Sequence, residues 1–220
     1  MTELNCDTAF TIPLFGGIAV SESVVVTWII MLGLTIASVF LVRNLKLKPV
    51  SRRQIILETA VGAGYHFFED LVGKEGRSYI PYLMTVALYI GIANLIGLLG
   101  FKPPTKDLNV TVALAVMSIV LIEYAGFHKK GIKKWIKSFA EPIPLITPIN
   151  ILELFIRPLS LCMRLFGNVL GAFVVMELIK MVVPIAVPVA FSCYFDIFDG
   201  LIQAYVFVFL TSLFIKEAIE

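Results

Sequence analysis

Six residues between positions 153 and 171 are spaced so that they could act together. Glu153, Arg157, Ser160, Arg164, Asn168 and Gly171 follow one another at intervals of four, three, four, four and three. On a helix turning about 100° per residue, those intervals lay the six along one stripe. The residues between them are almost all apolar, so the stripe is a polar face on an apolar helix. Arginine keeps its proton up to a pKa above about 12, which excludes a proton relay at Arg164. A fixed positive barrier suits it, as does a transient partner for a carboxylate; the alternative is a structural ion pair within the chain. Glu177, thirteen residues further on, lies about 220° around the helix, so this helix separates its cation from its carboxylate. Arg157 stands nearer the helix end, where its head group can reach the interface.

A second group, Asp196, Asp199 and Gln203, falls at intervals of three and four, again on one helical face. Two carboxylates there hold protons or a cation in a watery inlet, or Asp196 simply sits at the interface, where a charge costs little. Glu177 and Lys180 are also spaced as an ordinary helix pair. Asn94, an isolated amide in an apolar run, either bonds between helices or lines an ion path. Soluble chemistry finds no support: the sequence has no phosphate-binding glycine loop, nucleophile elbow or HExxH helix. Cys6, Cys162 and Cys193 are widely spaced and read as small apolar fillers, and His66 and His128 lack partners at metal-ligand spacing. No bound cofactor, no metal and no nucleic acid are expected.

The elements that must position these residues follow from hydropathy. The chain is 59% hydrophobic and 15% charged over 220 residues, with mean hydropathy +0.92, outside the balance of a soluble domain. Residues 1–22 carry Glu3, Asp7 and Glu22 without a basic residue, so no cleaved secretory signal is expected, and the segment is assigned outside. Ser23–Val42 is the first span, ending at Arg43, Lys46, Lys48, Arg52 and Arg53, the mark of a cytoplasmic exit. Gln54–Val72 mixes apolar residues with Glu58, His66, Glu69 and Asp70, which predicts an interfacial amphipathic helix. Tyr79–Gly100 returns outward to the proline-containing turn Phe101–Asp107, and Leu108–Tyr124 comes back to a lysine-rich block from His128 to Lys137. Ile149–Val183 and Val189–Ile215, separated by Pro184 and Pro188, exceed what a perpendicular crossing needs and predict tilted helices.

The expected fold is therefore all-α and polytopic, with five transmembrane helices plus one interfacial helix and with the last two helices long and strongly tilted. Its parts are an N-terminal segment 1–22, three spans with their cytoplasmic segments over 23–148, and a tilted helix pair over 149–220 that carries the function. The N-terminus lies outside and the C-terminus in the cytoplasm. No internal repeat is visible, which argues against an inverted-repeat transporter, although a secondary transporter, a cation channel and a purely structural scaffold all place polar residues in membrane helices.

The run Pro158-Leu-Ser-Leu-Cys-Met-Arg164-Leu-Phe-Gly-Asn168 resembles the signature of the a subunit of F-type ATP synthases. The resemblance extends through Ile12–Gly17, Asn94–Gly100, Lys102–Thr105, Asp107–Thr111 and Leu201–Tyr205, in the family's order. It implies a bacterial inner-membrane stator that passes H+ or Na+, partnered by the c-ring, the b-subunit peripheral stalk and membrane lipid, without an active site of its own. Arg164 is then similar to the family's essential arginine, which faces the ring carboxylates between two half-channels. Asn168 and Gln203 match positions close to that arginine, and Asp196 matches a position usually held by an acid or His. Where some members carry a Glu, this chain has Phe173, and Glu177 with Asp196 and Asp199 is the suggested replacement.

Overall fold

The computed structural model describes residues 8–12, 18–43, 52–99, 103–131, 135, 147–182, 191 and 194–219. Its elements are strands β1 (Thr8–Ile12) and β2 (Ile18–Ser21) and helices α1 (Glu22–Val42), α2 (Arg52–Val72), α3 (Ile80–Leu95), α4 (Leu108–Lys130), α5 (Thr147–Val182) and α6 (Gly200–Ile219). Five stretches are long and apolar enough to cross a membrane: Glu22–Val42, Lys74–Leu95, Leu108–Lys130, Thr147–Ile179 and Ile197–Ile219. The sixth helix, α2, is not among them. The expected helical count is met, and the antiparallel hairpin β1–β2, pairing Thr11 with Ala19 and Ile12 with Ile18, is an addition. Its signal was present in β-branched residues on both sides of Pro13, Gly16 and Gly17.

Several boundaries move for identifiable reasons. The second span leaves α-geometry at Leu95 and continues as a tighter 3-10 turn over Ile96–Leu99. Helix α4 runs past Tyr124 to Lys130, because His128, Lys129 and Lys130 complement the negative end of the helix dipole. Gly131, at φ 75°, stops it where a side chain would strain the backbone. The last span is π-helical over Tyr194–Asp199 before α6 begins at Gly200, and α6 continues beyond the expected Ile215 to Ile219. The break at Pro184 and Pro188, the motif residues 13–17 and the lysines at 133, 134 and 137 lie outside the described residues. At 36 residues α5 is about 54 Å long. Against a hydrocarbon core of about 30 Å, such a helix tilts or projects.

The interior sits where α3, α4 and α6 meet, with Ile80, Leu83, Ile90, Ile122 and Ile215 fully buried. Helix α1 is peripheral: it buries Val26 and Ile30 and leaves Ile29, Leu32, Val39 and Phe40 exposed, a surface suited to lipid. Several hydroxyls inside the bundle are paired between helices. Thr27 meets the Tyr89 hydroxyl at 3.1 Å and Tyr82 meets Ser118 at 3.1 Å. Asp107 is a further junction. It is buried, caps α4 by accepting from the Asn109 backbone N–H at 2.9 Å, and accepts from the Ser21 hydroxyl at 3.0 Å, so one carboxylate ties the end of β2 to the start of α4.

Removing that carboxylate loses a cap and leaves a half-buried hydroxyl unpaired. Asp107→Ala should therefore destabilise the purified protein by about 1–3 kcal/mol, read as a lower thermal midpoint in detergent. Asp107→Asn, which keeps an acceptor, should stay near the parent.

Candidate ion-path seam between two helices

Helix α5 carries its polar stripe despite Pro158, whose ring removes a backbone donor within the helix. Two residues of the stripe, Arg157 and Asn168, are answered from α6. Arg157 is mostly buried and donates to Glu217 on α6 at 2.6 Å, while Glu153, one turn earlier, lies 3.4 Å from the same guanidinium. The Phe214 ring centroid is 5.0 Å from the Arg157 guanidinium carbon, a cation–π contact. One turn beyond Arg164, the Asn168 amide donates to the side-chain oxygen of Gln203. Gln203 is buried, and its own Nε2 has no partner among the described residues.

Arg164 differs from all of these. It is exposed on α5, flanked by the exposed Leu159 and Met163, and among the described residues it makes no hydrogen bond or ion pair. The alternative of a structural ion pair within the chain finds no partner there. The same guanidinium chemistry, seven residues apart, is thus neutralised at Arg157 and left open at Arg164.

The carboxylates of the second group sit at the other end of the helix pair. Glu177 and Asp199 are both partly exposed. Asp196 lies in the π-helical turn, and its side chain is outside the described residues. Because that turn spans Tyr194–Asp199, α-helical spacing holds only from Gly200 onward, and the wider π turn displaces Asp196 angularly from the face expected of a continuous α-helix. Asn94 is buried and bonds between elements: its amide donates to the Gly200 carbonyl at 3.0 Å and its oxygen accepts from the Thr105 hydroxyl at 2.9 Å. The bonding alternative read from the sequence accounts for it. A Cβ built on Gly200 would stand 2.9 Å from the Asn94 Cβ, so only glycine lets the two backbones approach this closely.

Sequence reasoning missed three contacts. Lys106 places its ammonium 3.8 Å from the centroid of Phe173, the position at which a carboxylate was sought. Glu217 lies beyond the span expected to end at Ile215, and it is the partner of Arg157. Trp135 donates to Glu123 at 3.1 Å, and these two help line a polar cavity of about 240 Å³ with Glu153, Arg157 and Glu217. Only the charge of Arg157, inside an apolar run, hinted at a partner elsewhere.

Five apolar helices with a polar seam between the last two define a multi-pass membrane protein built to handle charge within the bilayer. The model of the ATP synthase A chain family matches residues 24–216, and the chain belongs to that family. It is 38% identical over 207 residues to ATP synthase subunit a of Moorella thermoacetica, covering 93% of this chain and 94% of the relative. ATP synthase subunit a 2 of Bradyrhizobium is 34% identical, with 93% and 91% covered. The sodium ion specific ATP synthase subunit a of Propionigenium modestum is 32% identical, with 92% and 75% covered. The protein is accordingly a bacterial multi-pass component of the ATP synthase complex, serving ATP synthesis and ion transport.

The Asn168–Gln203 bond has an asymmetric cost. Asn168→Leu strands the side-chain oxygen of buried Gln203, whose Nε2 already lacks a partner among the described residues, whereas Gln203→Leu removes both groups. The double variant Asn168→Leu/Gln203→Leu should therefore be more stable than Asn168→Leu alone, by about 1–3 kcal/mol, in thermal unfolding of the purified subunit. A double variant as unstable as the sum of the singles contradicts the bond.

Proposed function

We infer that this chain is the stator of the membrane sector, carrying H+ or Na+ to and from the carboxylates of a rotating c-ring through two half-channels. One observation carries the reading. Arg164 is exposed on an apolar helix with no partner among the described residues. A cation in mid-membrane costs from about 2.5 to more than 10 kcal/mol unless it meets protein or water. On this reading its partner comes from outside this chain, and a ring carboxylate has the required sign.

On this reading an ion enters from outside along Glu177, Asp196 and Asp199 and neutralises a ring carboxylate. The neutral site then turns into lipid without the penalty for a charge. A loaded site arriving from the other direction meets Arg164, which favours the ionised carboxylate and releases the ion toward an inner exit beside Glu153. The same fixed cation repels protons and sodium ions from a direct leak between the half-channels. The membrane potential supplies about 2.3 kcal/mol per charge per 100 mV.

Asn168 and Gln203 hold the seam beside Arg164, and Asn94 supports the path from Gly200 without lining it. The N-terminus is placed outside and the C-terminus in the cytoplasm, in accord with both basic blocks. The peripheral stalk and membrane lipid complete the surroundings. No bound cofactor takes part, and nucleotide chemistry belongs to other subunits of the complex.

Arg164→Ala in the assembled complex should lower ion-coupled ATP synthesis at least about a hundredfold, the factor for roughly 3 kcal/mol of lost attraction. Normal synthesis by that variant would sink the proposal. Assaying ATP synthesis with and without sodium identifies the ion: dependence on sodium marks Na+ coupling, and indifference marks H+.

A further inference from the structure

The seam between α5 and α6 is held by side-chain contacts on both sides of Arg164. Asn168, one turn later, bonds to Gln203. Arg157, two turns earlier, bonds to Glu217 at 2.6 Å and lies over Phe214 at 5.0 Å. We propose that the Arg157–Glu217 pair is a positioning clamp that fixes the register of α5 against α6 and thereby sets the height and direction of Arg164. The proposal rests on the reading of Arg164 given above.

Three features distinguish this pair from an ordinary surface ion pair. The Arg157 side chain is only 15% exposed although its partner Glu217 is 60% exposed, so the guanidinium, and not the carboxylate, is the member withdrawn from solvent. The guanidinium is shared: Glu153 on its own helix and Glu217 on the facing helix hold it from two directions, and the Phe214 ring lies close by. Its Nε is buried without a partner among the described residues, so the head group has given up solvation to reach α6. A planar fork with several donors accomplishes this where a lysine ammonium would not. The pair also stands directly before Pro158, where α5 lacks a backbone donor and is least able to keep its own alignment.

The whole complex in inverted membrane vesicles provides the test, with ATP-driven ion pumping measured per ATP hydrolysed and normalised to the amount of chain assembled. Arg157→Glu and Glu217→Arg each bring like charges together and should reduce this coupling about tenfold. The exchanged pair Arg157→Glu/Glu217→Arg should recover coupling to within about threefold of the parent, the remainder reflecting Glu153, which now faces a like charge one turn away. A role limited to folding would change the amount assembled and leave coupling per complex untouched. Where the reversals do not assemble, Glu217→Gln and Glu217→Ala serve instead. Gln keeps a neutral acceptor and should stay better coupled than Ala.

An exchanged pair no better than the poorer single variant overturns the clamp, and so does equal coupling in Glu217→Gln and Glu217→Ala. Arg164→Ala in the same vesicles separates the two levels. Normal pumping there removes the reading of Arg164 itself, whereas its loss together with undisturbed Glu217 variants removes the clamp alone.

Discussion

A guanidinium in hydrocarbon is so costly that every arginine in a membrane helix needs an explanation, and α5 answers this demand in two ways. Arg157 is answered within the chain by two carboxylates and an aromatic face. Arg164 is left open to the surroundings. The rest of the seam follows from keeping these two solutions apart on one helix. Were Arg164 also paired internally, it would be a structural residue. Were Arg157 open as well, α5 would carry two uncompensated cations about 10 Å apart.

The bundle behind the seam obeys the same demand with neutral groups. Threonine, serine and tyrosine hydroxyls between helices meet one another or main-chain carbonyls. Asn94 spends both ends of its amide between Thr105 and the Gly200 carbonyl. That last bond matters for α6, because it grips the helix at the residue where π-geometry gives way to α-geometry. The backbone at the end of the π turn is thus anchored to α3 through one main-chain carbonyl. Asp107 has the corresponding role at the start of α4.

The spans were legible because a run of about 20 apolar residues has few alternatives, and the family was legible in the residues around Arg164. The resemblance put Asn168 and Gln203 each near Arg164, but their bond to one another, across 35 positions, was not legible. Other contacts left little trace. Arg157 and Glu217 are 60 positions apart, and Ser21 and Asp107 are 86 apart; no local periodicity relates such residues. Phe173 illustrates a different limit. Its type excluded a carboxylate, but the ammonium of Lys106 over its ring depends on how the Pro103–Asp107 turn folds back against α5. The π turn also eluded the reading, since hydropathy alone does not separate a π turn from an α-helix.

The contacts on both sides of Arg164 have a mechanical meaning. Helix α5 behaves as a beam resting on two supports, Arg157–Glu217 and Asn168–Gln203, separated by 11 residues or about 16 Å. A sideways push delivered at Arg164 falls between the supports and is shared by both, whereas a helix held at one end would swing like a lever. Stiffness at that point comes from where α5 is pinned to α6 and not from any rigidity of the arginine. A long, flexible side chain can therefore serve as a fixed reference for something moving past it.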